Sequence, residues 1–201
     1  MGGAPWRSLA ILCALVIGGC GSTSAPAPSV PRESPQAPPK PPPGWSTEIS
    51  NNIGYGINIP PDWKVTEHND ASLIRSPDRL VAVSITSDRT EDALSIPLDS
   101  YARGALNAIP GFRGGVEAES PKPLSGTPYD AVELDAHGIA SSSGVTEQVT
   151  LVVMRRDEAV NFVAAIALNS DQPAATAERT TALRMVRTLR DQPVAPPVPP
   201  Q

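Results

Sequence analysis

Few side chains in this sequence have the types and spacing that catalysis requires. Glu133 and Asp135 stand two residues apart in an alternating stretch, which puts both on one face of a predicted strand, about 6–7 Å apart. Two carboxylates at such a separation can act as general acid and base. Both lie on the polar face of this strand, however, where water would solvate them and leave their pKa values near normal. Catalysis needs carboxylates with perturbed pKa values. The pattern therefore predicts a solvated pair.

The two histidines also lack the neighbours that a metal site needs. His68 lies in the polar stretch 66–70, where Glu67 and Asp70 could help to bind a cation. The spacing supplies no further ligands, so we predict a solvated loop and no metal. His137 is predicted to be an exposed residue at the end of a strand. Two cysteines and two histidines in 201 residues exclude a disulfide framework and a Cys/His zinc site.

No nucleophile or cofactor motif is supported. The run Ser141–Ser143 has no base placed to activate it, and no Gly-x-Ser-x-Gly elbow occurs. Gly54-Tyr55-Gly56 begins like a dinucleotide-binding loop, but the later glycine is missing and the run precedes a strand, so it predicts turn geometry. The sequence thus predicts no catalytic residue and no cofactor. With 16 basic and 21 acidic residues, a net charge of −5, it also argues against nucleic-acid binding.

Proline content divides the chain. Most of the 24 prolines lie in residues 21–44 and 191–201. These segments have little apolar surface to offset the entropy of ordering, which predicts a disordered tether after residue 20 and a disordered tail. The remaining 45–190 have ordinary composition and a length suited to one core, so they are predicted to form a single domain.

The N-terminus has the features of a targeting segment. One basic residue, Arg7, precedes an apolar run of about 11 residues, too short to span roughly 30 Å of hydrocarbon but typical of a secretory signal peptide. The run ends in Ile17-Gly18-Gly19-Cys20-Gly21, which resembles the lipobox of bacterial lipoproteins. In that family the cysteine is alkylated with diacylglycerol and the chain is cut just before it.

That resemblance implies a signal peptide over residues 1–19, cleavage between Gly19 and Cys20, and an anchor on Cys20. The protein would then sit on the outer face of the cell membrane, because two acyl chains hold a protein stably at a bilayer. The alternative is a plainly secreted protein in which Cys20 is incidental.

Alternating and helical periodicities predict the elements of the domain. Four short strands, the third and fourth separated by a Ser-Pro-Asp turn, precede a helix, and further strands and a second helix follow. This order predicts an α+β domain, mainly an antiparallel sheet packed against two amphipathic helices. The predicted strands cover Trp45–Ile49, Tyr55–Ile59, Ser72–Arg75, Leu80–Ser87, Val116–Glu119, Tyr129–His137, Val145–Arg155 and Ala159–Leu168, and the predicted helices cover Pro97–Ile109 and Pro173–Arg190.

Two segments resemble known domains. Residues 54–63, an aromatic-led strand that closes in Pro-Pro-Asp-Trp, are similar to the first hairpin of PsbP-like domains. Residues 105–112 are similar to the end of a helix in the actinobacterial LpqN/LpqT lipoproteins. The resemblance implies an α/β/α sandwich over 45–190 and no shared catalytic motif. Related domains act as accessory or partner-binding modules.

Three functions remain open at this point. The first is a non-catalytic envelope lipoprotein whose domain docks a protein partner, with Trp63 and His68 as candidate contacts because tryptophan is enriched in binding anchors. Trp63 could equally belong to the core. The second is a carrier of a lipid or small hydrophobic ligand in a core cavity, since the predicted core is rich in small side chains. Tight packing is the alternative to a cavity. The third is a hydrolase with an unrecognised site.

Overall fold

The computed structural model describes residues 40–89, 95–109, 112–140, 146–157, 160–169 and 173–192. Within these ranges the strands and helices follow one another along the chain in nearly the predicted order. The strands are β1 (Ser46–Ser50), β2 (Tyr55–Ile59), β3 (Lys64–Glu67), β4 (Ala71–Arg75), β5 (Val81–Arg89), β6 (Phe112–Ala118), β7 (Lys122–Pro123), β8 (Asp130–Ala140), β9 (Thr146–Arg155), β10 (Val160–Asn169) and β11 (Arg190–Asp191); the helices are α1 (Leu98–Asn107) and α2 (Pro173–Val186).

The strands form a large antiparallel sheet in the order β3-β4-β5-β10-β9-β8-β6, with β7 paired to β8. Strand β10 is the most apolar and lies near the centre, between β5 and β9. Its register is regular: Ala164 pairs with Ile85 on one side and Val152 on the other. A second, three-stranded antiparallel sheet has the order β1-β2-β11.

The two helices cover opposite faces of the large sheet. On one face, Ala182 and Met185 of α2 share a core with Phe162 and Ile166 of β10 and with Ile57 of the small sheet. On the other face, α1 packs over β8 and β9 in a smaller core. The α+β expectation of a mainly antiparallel sheet between two amphipathic helices is confirmed.

The end of α2 corrects one prediction. The helix stops at Val186 and not at Arg190. The backbone N–H of Leu189 bonds to the carbonyl of Val186 at 2.9 Å, which tightens the last turn, and Arg190 then pairs with Gly56 as the start of β11. The Thr188 hydroxyl accepts a hydrogen bond from the backbone N–H of Asn58, in β2, at 2.8 Å. Contacts with β2 therefore prevail over the helical periodicity.

Other boundaries also differ. The sequence predicted neither β3 nor β7. Strand β3 is short, mostly polar and largely exposed, and β7 has only two residues. Strand β6 starts at Phe112, four residues before the predicted start. Helix α1 has Asp99 in its first turn, as predicted. The serines 141–143 lie outside the described residues.

The carboxyl groups of Glu178, on α2, and of Asp78, in the turn between β4 and β5, lie next to each other. Burial, followed by the nearby Asp78, raises the pKa of the Glu178 carboxyl. Glu178 therefore binds its proton more tightly in the folded state. The resulting stability is complete below the ordinary glutamate pKa and is lost as pH rises through the raised folded value.

We therefore expect Glu178→Gln to raise the melting temperature at pH 7 by about 1–3 °C and to leave it nearly unchanged at pH 4. The reason is that glutamine removes a charge that is unfavourable next to Asp78 only when Glu178 is ionised. Thermal denaturation followed by circular dichroism at both pH values measures this. Glu117→Gln, at an exposed position of β6, is the control. A lower melting temperature of the Glu178 variant at pH 7 would contradict the assignment.

Candidate functional site

An open groove of about 660 Å³ lies between α1 and the face of the large sheet that carries this helix. Helix α1 sits over β8 and β9, so the described residues leave β10, β5 and β4 uncovered beside it on this face. Ala105, Ala108 and Ile109 of α1 form one wall of the groove. Its floor consists of half-buried residues from three strands: Leu73, Ala82, Ser84, Thr86, Val163, Ala165 and Ala167.

Alternation along the strands explains why the groove is open. On β10, Phe162 and Ile166 point into the α2 core, so Ala165 and Ala167 fall on the opposite face. On β5, Val83 likewise faces the core and its neighbours on the other face are small. Small side chains on neighbouring strands cannot fill the space beside α1. The same strands that pack tightly against α2 on one face thus leave a groove on the other.

The groove has a polar end and an apolar end. Ser87 and Asp88 lie at one end of β5 and Ala82 at the other, about 20 Å away along the strand. At the polar end the Tyr101 hydroxyl, on α1, donates a hydrogen bond to Oδ2 of Asp88. Burial, followed by this bond to Asp88, raises the pKa of the Tyr101 hydroxyl. The bond ties α1 to β5 at this end of the groove.

Two further polar side chains lie behind that end. Asn161 of β10 is paired in register with Asp88 on one side and with Arg155 on the other. It is 0% exposed and lies within hydrogen-bond reach of the Tyr101 hydroxyl. Nη2 of Arg155 donates to the carbonyl of Ile96, just before α1, at 2.5 Å.

Asp135 of β8 forms an ion pair within the fold. Nη2 of Arg179, on α2, bonds to Oδ1 of Asp135 at 2.6 Å. The hydroxyl of Thr150, which is 0% exposed, donates to the same oxygen at 2.5 Å and accepts from Nε of Arg179 at 2.8 Å. The prediction of a solvated pair is wrong for Asp135, because α2 covers that face. Glu133 is half-buried and lies opposite Lys122 of β7.

The structure does not bring the two predicted docking residues together. Trp63 is half-buried, packs against the α2-side core and precedes β3. His68 is exposed and follows β3, about 16 Å further along the strand. Its neighbour Glu67 accepts hydrogen bonds from Ser50 at 2.7 Å and from Ser72 at 2.5 Å. A role of Trp63 and His68 in partner binding stays a prediction.

Other predicted features depend on residues that the structure does not cover. Gly19 and Cys20 lie outside the described residues, so the anchor stays a prediction. Within the described ranges, no group of three or more His, Cys, Asp or Glu side chains could hold a metal ion. Neither described helix is long and apolar enough to cross a membrane.

Sequence reasoning missed the groove and its polar residues. It gave no role in such a groove to Tyr101, Asp70 or Asp88. A usable signal was present: within 80–87, bulky Val81, Val83 and Ile85 alternate with small or hydroxyl side chains. This difference in side-chain size between the two faces indicates a strand that is fully packed on one face only. The sequence could not show that α1 lies to one side and leaves this face open.

Comparison with known proteins identifies the fold. No protein-family model matches the chain, and a search of curated proteins finds no match. Among solved structures, PsbP from the cyanobacterium Synechocystis is 10% identical, with 74% of this chain covering 92% of that one at a TM-score of 0.51. The Ran-binding protein Mog1p of Saccharomyces cerevisiae is 11% identical, with 73% of this chain covering 95% of that one at a TM-score of 0.50. The chain has a PsbP/Mog1-like fold.

Two bacterial proteins are also similar. LpqN of Mycobacterium tuberculosis, involved in cell envelope biogenesis, is 17% identical over 74% of this chain and 91% of its own, at a TM-score of 0.49. A Bacteroides thetaiotaomicron protein is 14% identical over 74% of this chain at a TM-score of 0.51, and this chain spans about half of its length (49%). The assignment of the fold rests on the PsbP and Mog1p structures, and the LpqN/LpqT-type assignment stays a prediction.

Proposed function

We propose that this protein is a cell-envelope lipoprotein with a non-catalytic accessory domain, displayed outside the membrane, that binds an apolar ligand in the groove beside α1. The observation that carries the proposal is the groove itself, with its floor of small side chains and its wall of Ala105, Ala108 and Ile109. The lipobox-like run at residues 17–21 supports the anchor on Cys20.

The size and lining of the groove favour a small ligand. Its volume of about 660 Å³ falls in the range of roughly 300–1,000 Å³ that is typical of small-molecule sites. Apolar surface that a ligand buries there contributes about 25 cal/mol per Å² before the costs of association. The carrier hypothesis expected a cavity in the core, whereas the space that carries this proposal is a groove among described residues on the α1 face. A ligand can therefore enter without opening the domain.

The polar groups of the described residues favour binding over catalysis. Ser84 and Ser87 line the groove, but its lining contains no histidine that could activate them. Asp135 is paired with Arg179 on the opposite face of the sheet. A hydrolytic site needs a nucleophile and a base within hydrogen-bond reach of each other. We therefore propose a binding domain rather than an enzyme.

Filling the groove tests this function. The double variant Ala165→Leu/Ala167→Leu adds bulk to the floor without touching the α2 core. We expect it to weaken binding of the neutral apolar dye Nile red at least tenfold, because the added side chains occupy the ligand volume. Fluorescence titration of the unacylated mature chain, residues 20–201 with Cys20→Ser, measures the affinity and avoids detergent.

The matched control is Ala177→Leu, which adds the same atoms at an exposed position of α2. Its dye affinity is expected to equal that of the parent chain, and melting curves establish that all variants fold. A parent chain that gives no dye signal, or a filled variant that binds as tightly as its parent, would overturn the groove as the binding site.

A protein partner is the second candidate. Trp63 is half-buried at the start of β3, an edge strand of the large sheet, and such strands can accept partners. Mog1p, which shares the fold, is described as Ran-binding. Crosslinking on intact cells followed by mass spectrometry tests this candidate. Consistent recovery of one envelope protein through residues near Trp63 would support it, and crosslinks confined to the groove would count against it.

A further inference from the structure

Three arginines lie close together on a chain whose net charge is −5. Arg184 is in the last turn of α2 and Arg187 directly follows the helix, and both are exposed. The backbone N–H of Arg187 still bonds to the carbonyl of Leu183 at 3.0 Å, so the two arginines keep helical spacing and lie on one side. Arg190 starts β11, and its Nη1 lies 3.4 Å from Oδ1 of Asn58 in β2.

All three arginines point away from the large sheet. Helix α2 and the small sheet pack against the same face of that sheet, through Ala182 and Met185 of the helix and Ile57 of β2. The exposed side of α2 and the outer face of the small sheet are therefore turned in the same direction. Arg190 is on that outer face, because it pairs with Gly56, whose side alternates with that of Ile57 along β2.

Two apolar side chains share this surface. The guanidinium of Arg184 lies over the ring of Trp45, 5.4 Å from its centroid, in a cation–π contact. Trp45 is half-buried and directly precedes β1. Ile49 of β1 pairs with Gly56, so it too is on the outer face, and it is 53% exposed. The outer basic surface consists of Trp45, Ile49, Arg184, Arg187 and Arg190.

The carboxylates of the same elements point elsewhere. Glu48 is on the inner face of the small sheet, by the alternation of β1. Asp191 forms an ion pair with Arg156 at 2.8 Å, and Glu178 lies beside the turn between β4 and β5. Asp62, in the exposed turn after β2, lies at the margin of the outer basic surface. Its single charge leaves the three guanidinium groups in excess.

We infer that the outer basic surface rests on an anionic phospholipid bilayer, with its arginines at the headgroups and Trp45 and Ile49 at the interface. Basic side chains near an anionic lipid surface contribute to binding, and tryptophan is enriched at the boundary between headgroups and hydrocarbon. The place where the chain enters the domain favours a bilayer over a soluble acidic partner. Trp45 directly precedes β1, and the anchor proposed on Cys20 lies on that N-terminal side.

Docking in this way would set the orientation of the domain. Because the anchor keeps lipid at a high local concentration, a weak contact is enough. Helix α2 then faces the bilayer, and the groove beside α1, on the opposite face of the large sheet, faces away from it. A ligand reaches the groove without obstruction by the membrane. The inference goes beyond the groove and draws on the proposed anchor only for the nearby bilayer.

The test couples the mature chain, residues 20–201, to vesicles that contain a maleimide lipid, through Cys20, its single cysteine. This chemical tether replaces the acyl anchor, so the result does not depend on lipidation in cells. The Trp63→Phe background leaves Trp45 as the single tryptophan of the mature chain. Lipids with brominated acyl chains quench its fluorescence when it lies at the interface, and the ratio of emission in unbrominated and brominated vesicles measures docking.

We expect Trp45 to be quenched in phosphatidylglycerol vesicles and not in phosphatidylcholine vesicles. Raising the NaCl concentration to about 0.5 M should abolish the quenching, because salt screens the charges. Arg184→Gln/Arg187→Gln should lower the ratio of docked to free domain about tenfold, since both removed charges face the lipid. The emission ratio corrects for the lost contact between Arg184 and Trp45.

The matched control is Arg103→Gln, which removes the same charge at an exposed position of α1, on the opposite face of the large sheet, and should leave the quenching unchanged. Melting curves establish that the variants fold. If Trp63→Phe unfolds the domain, the quenching that Trp45→Phe removes from the chain with both tryptophans gives the same quantity.

Equal quenching in both kinds of vesicle, no quenching in either, or a double arginine variant that is quenched like its parent would overturn the inference. Each of these results leaves the groove function standing, because Nile red binding tests the groove in the absence of lipid.

Discussion

Cys20→Ser is expected to abolish acylation and membrane anchoring of this protein. In cells fed an alkyne-labelled palmitate, the parent chain should take up the label and partition into the detergent phase of Triton X-114. The variant should show no label and partition into the aqueous phase. The reason is that two acyl chains contribute about 0.8 kcal/mol per buried methylene group, and the variant loses this contribution.

The chain offers a matched control in its other cysteine. Cys13 lies within the apolar run of the predicted signal peptide, so Cys13→Ser should leave labelling and partitioning unchanged. An unlabelled parent chain recovered uncleaved in the cytosol would contradict the lipoprotein proposal. Label retained by the Cys20 variant would place the modification at another residue.

Phe162→Ala is expected to lower the free energy of unfolding by about 3–5 kcal/mol. Phe162 is 0% exposed on the central strand β10, and its ring lies edge-on to Tyr55 at 6.5 Å and tilted to Tyr129 at 6.1 Å. Tyr55 belongs to the small sheet, so this ring joins both sheets and α2 in one core. Its loss leaves a cavity that the surrounding strands cannot close. Urea denaturation followed by circular dichroism measures the change.

The neighbouring residue provides the comparison. Val163 is half-buried and lies on the groove face of the same strand, so Val163→Ala should cost much less, about 1 kcal/mol. The ratio between the two variants tests which face of β10 is packed. Equal costs would mean that the groove face is as tightly packed as the core face, contrary to the structure.

Much of the architecture follows from local patterns. Recurring β-branched residues in Leu80–Ser87 and the apolar run Ala159–Leu168 predicted the two strands that pair at the centre of the large sheet, and short turns predicted antiparallel order. Helix α1 was predicted to within two residues at each end, since Pro97 and Asp99 mark its start. Such features depend on residues close in sequence, which is why the sequence alone can indicate them.

The rest depends on residues distant in sequence. Strand β11 forms because Arg190 meets Gly56 of β2, and the same contact ends α2 early. The ion pair of Asp135 with Arg179 joins residues 44 positions apart, and no periodicity predicts it. The groove exists because α1 sits to one side of the sheet, a matter of tertiary packing. Sequence analysis therefore indicated the faces of the strands but not which face remains open.

The most direct test of the account is to locate the bound ligand on the domain. We predict that titrating n-decanol into the isotopically labelled, unacylated mature chain shifts backbone amide NMR signals of the groove, on β4, β5, β10 and α1, with Leu73, Ser84 and Ala165 among the most affected. Amides of α2 around Ala182 should not move, because they lie on the opposite face of the sheet. Shifts centred on α2, or none at saturating decanol, would contradict the claim that this groove is the functional site.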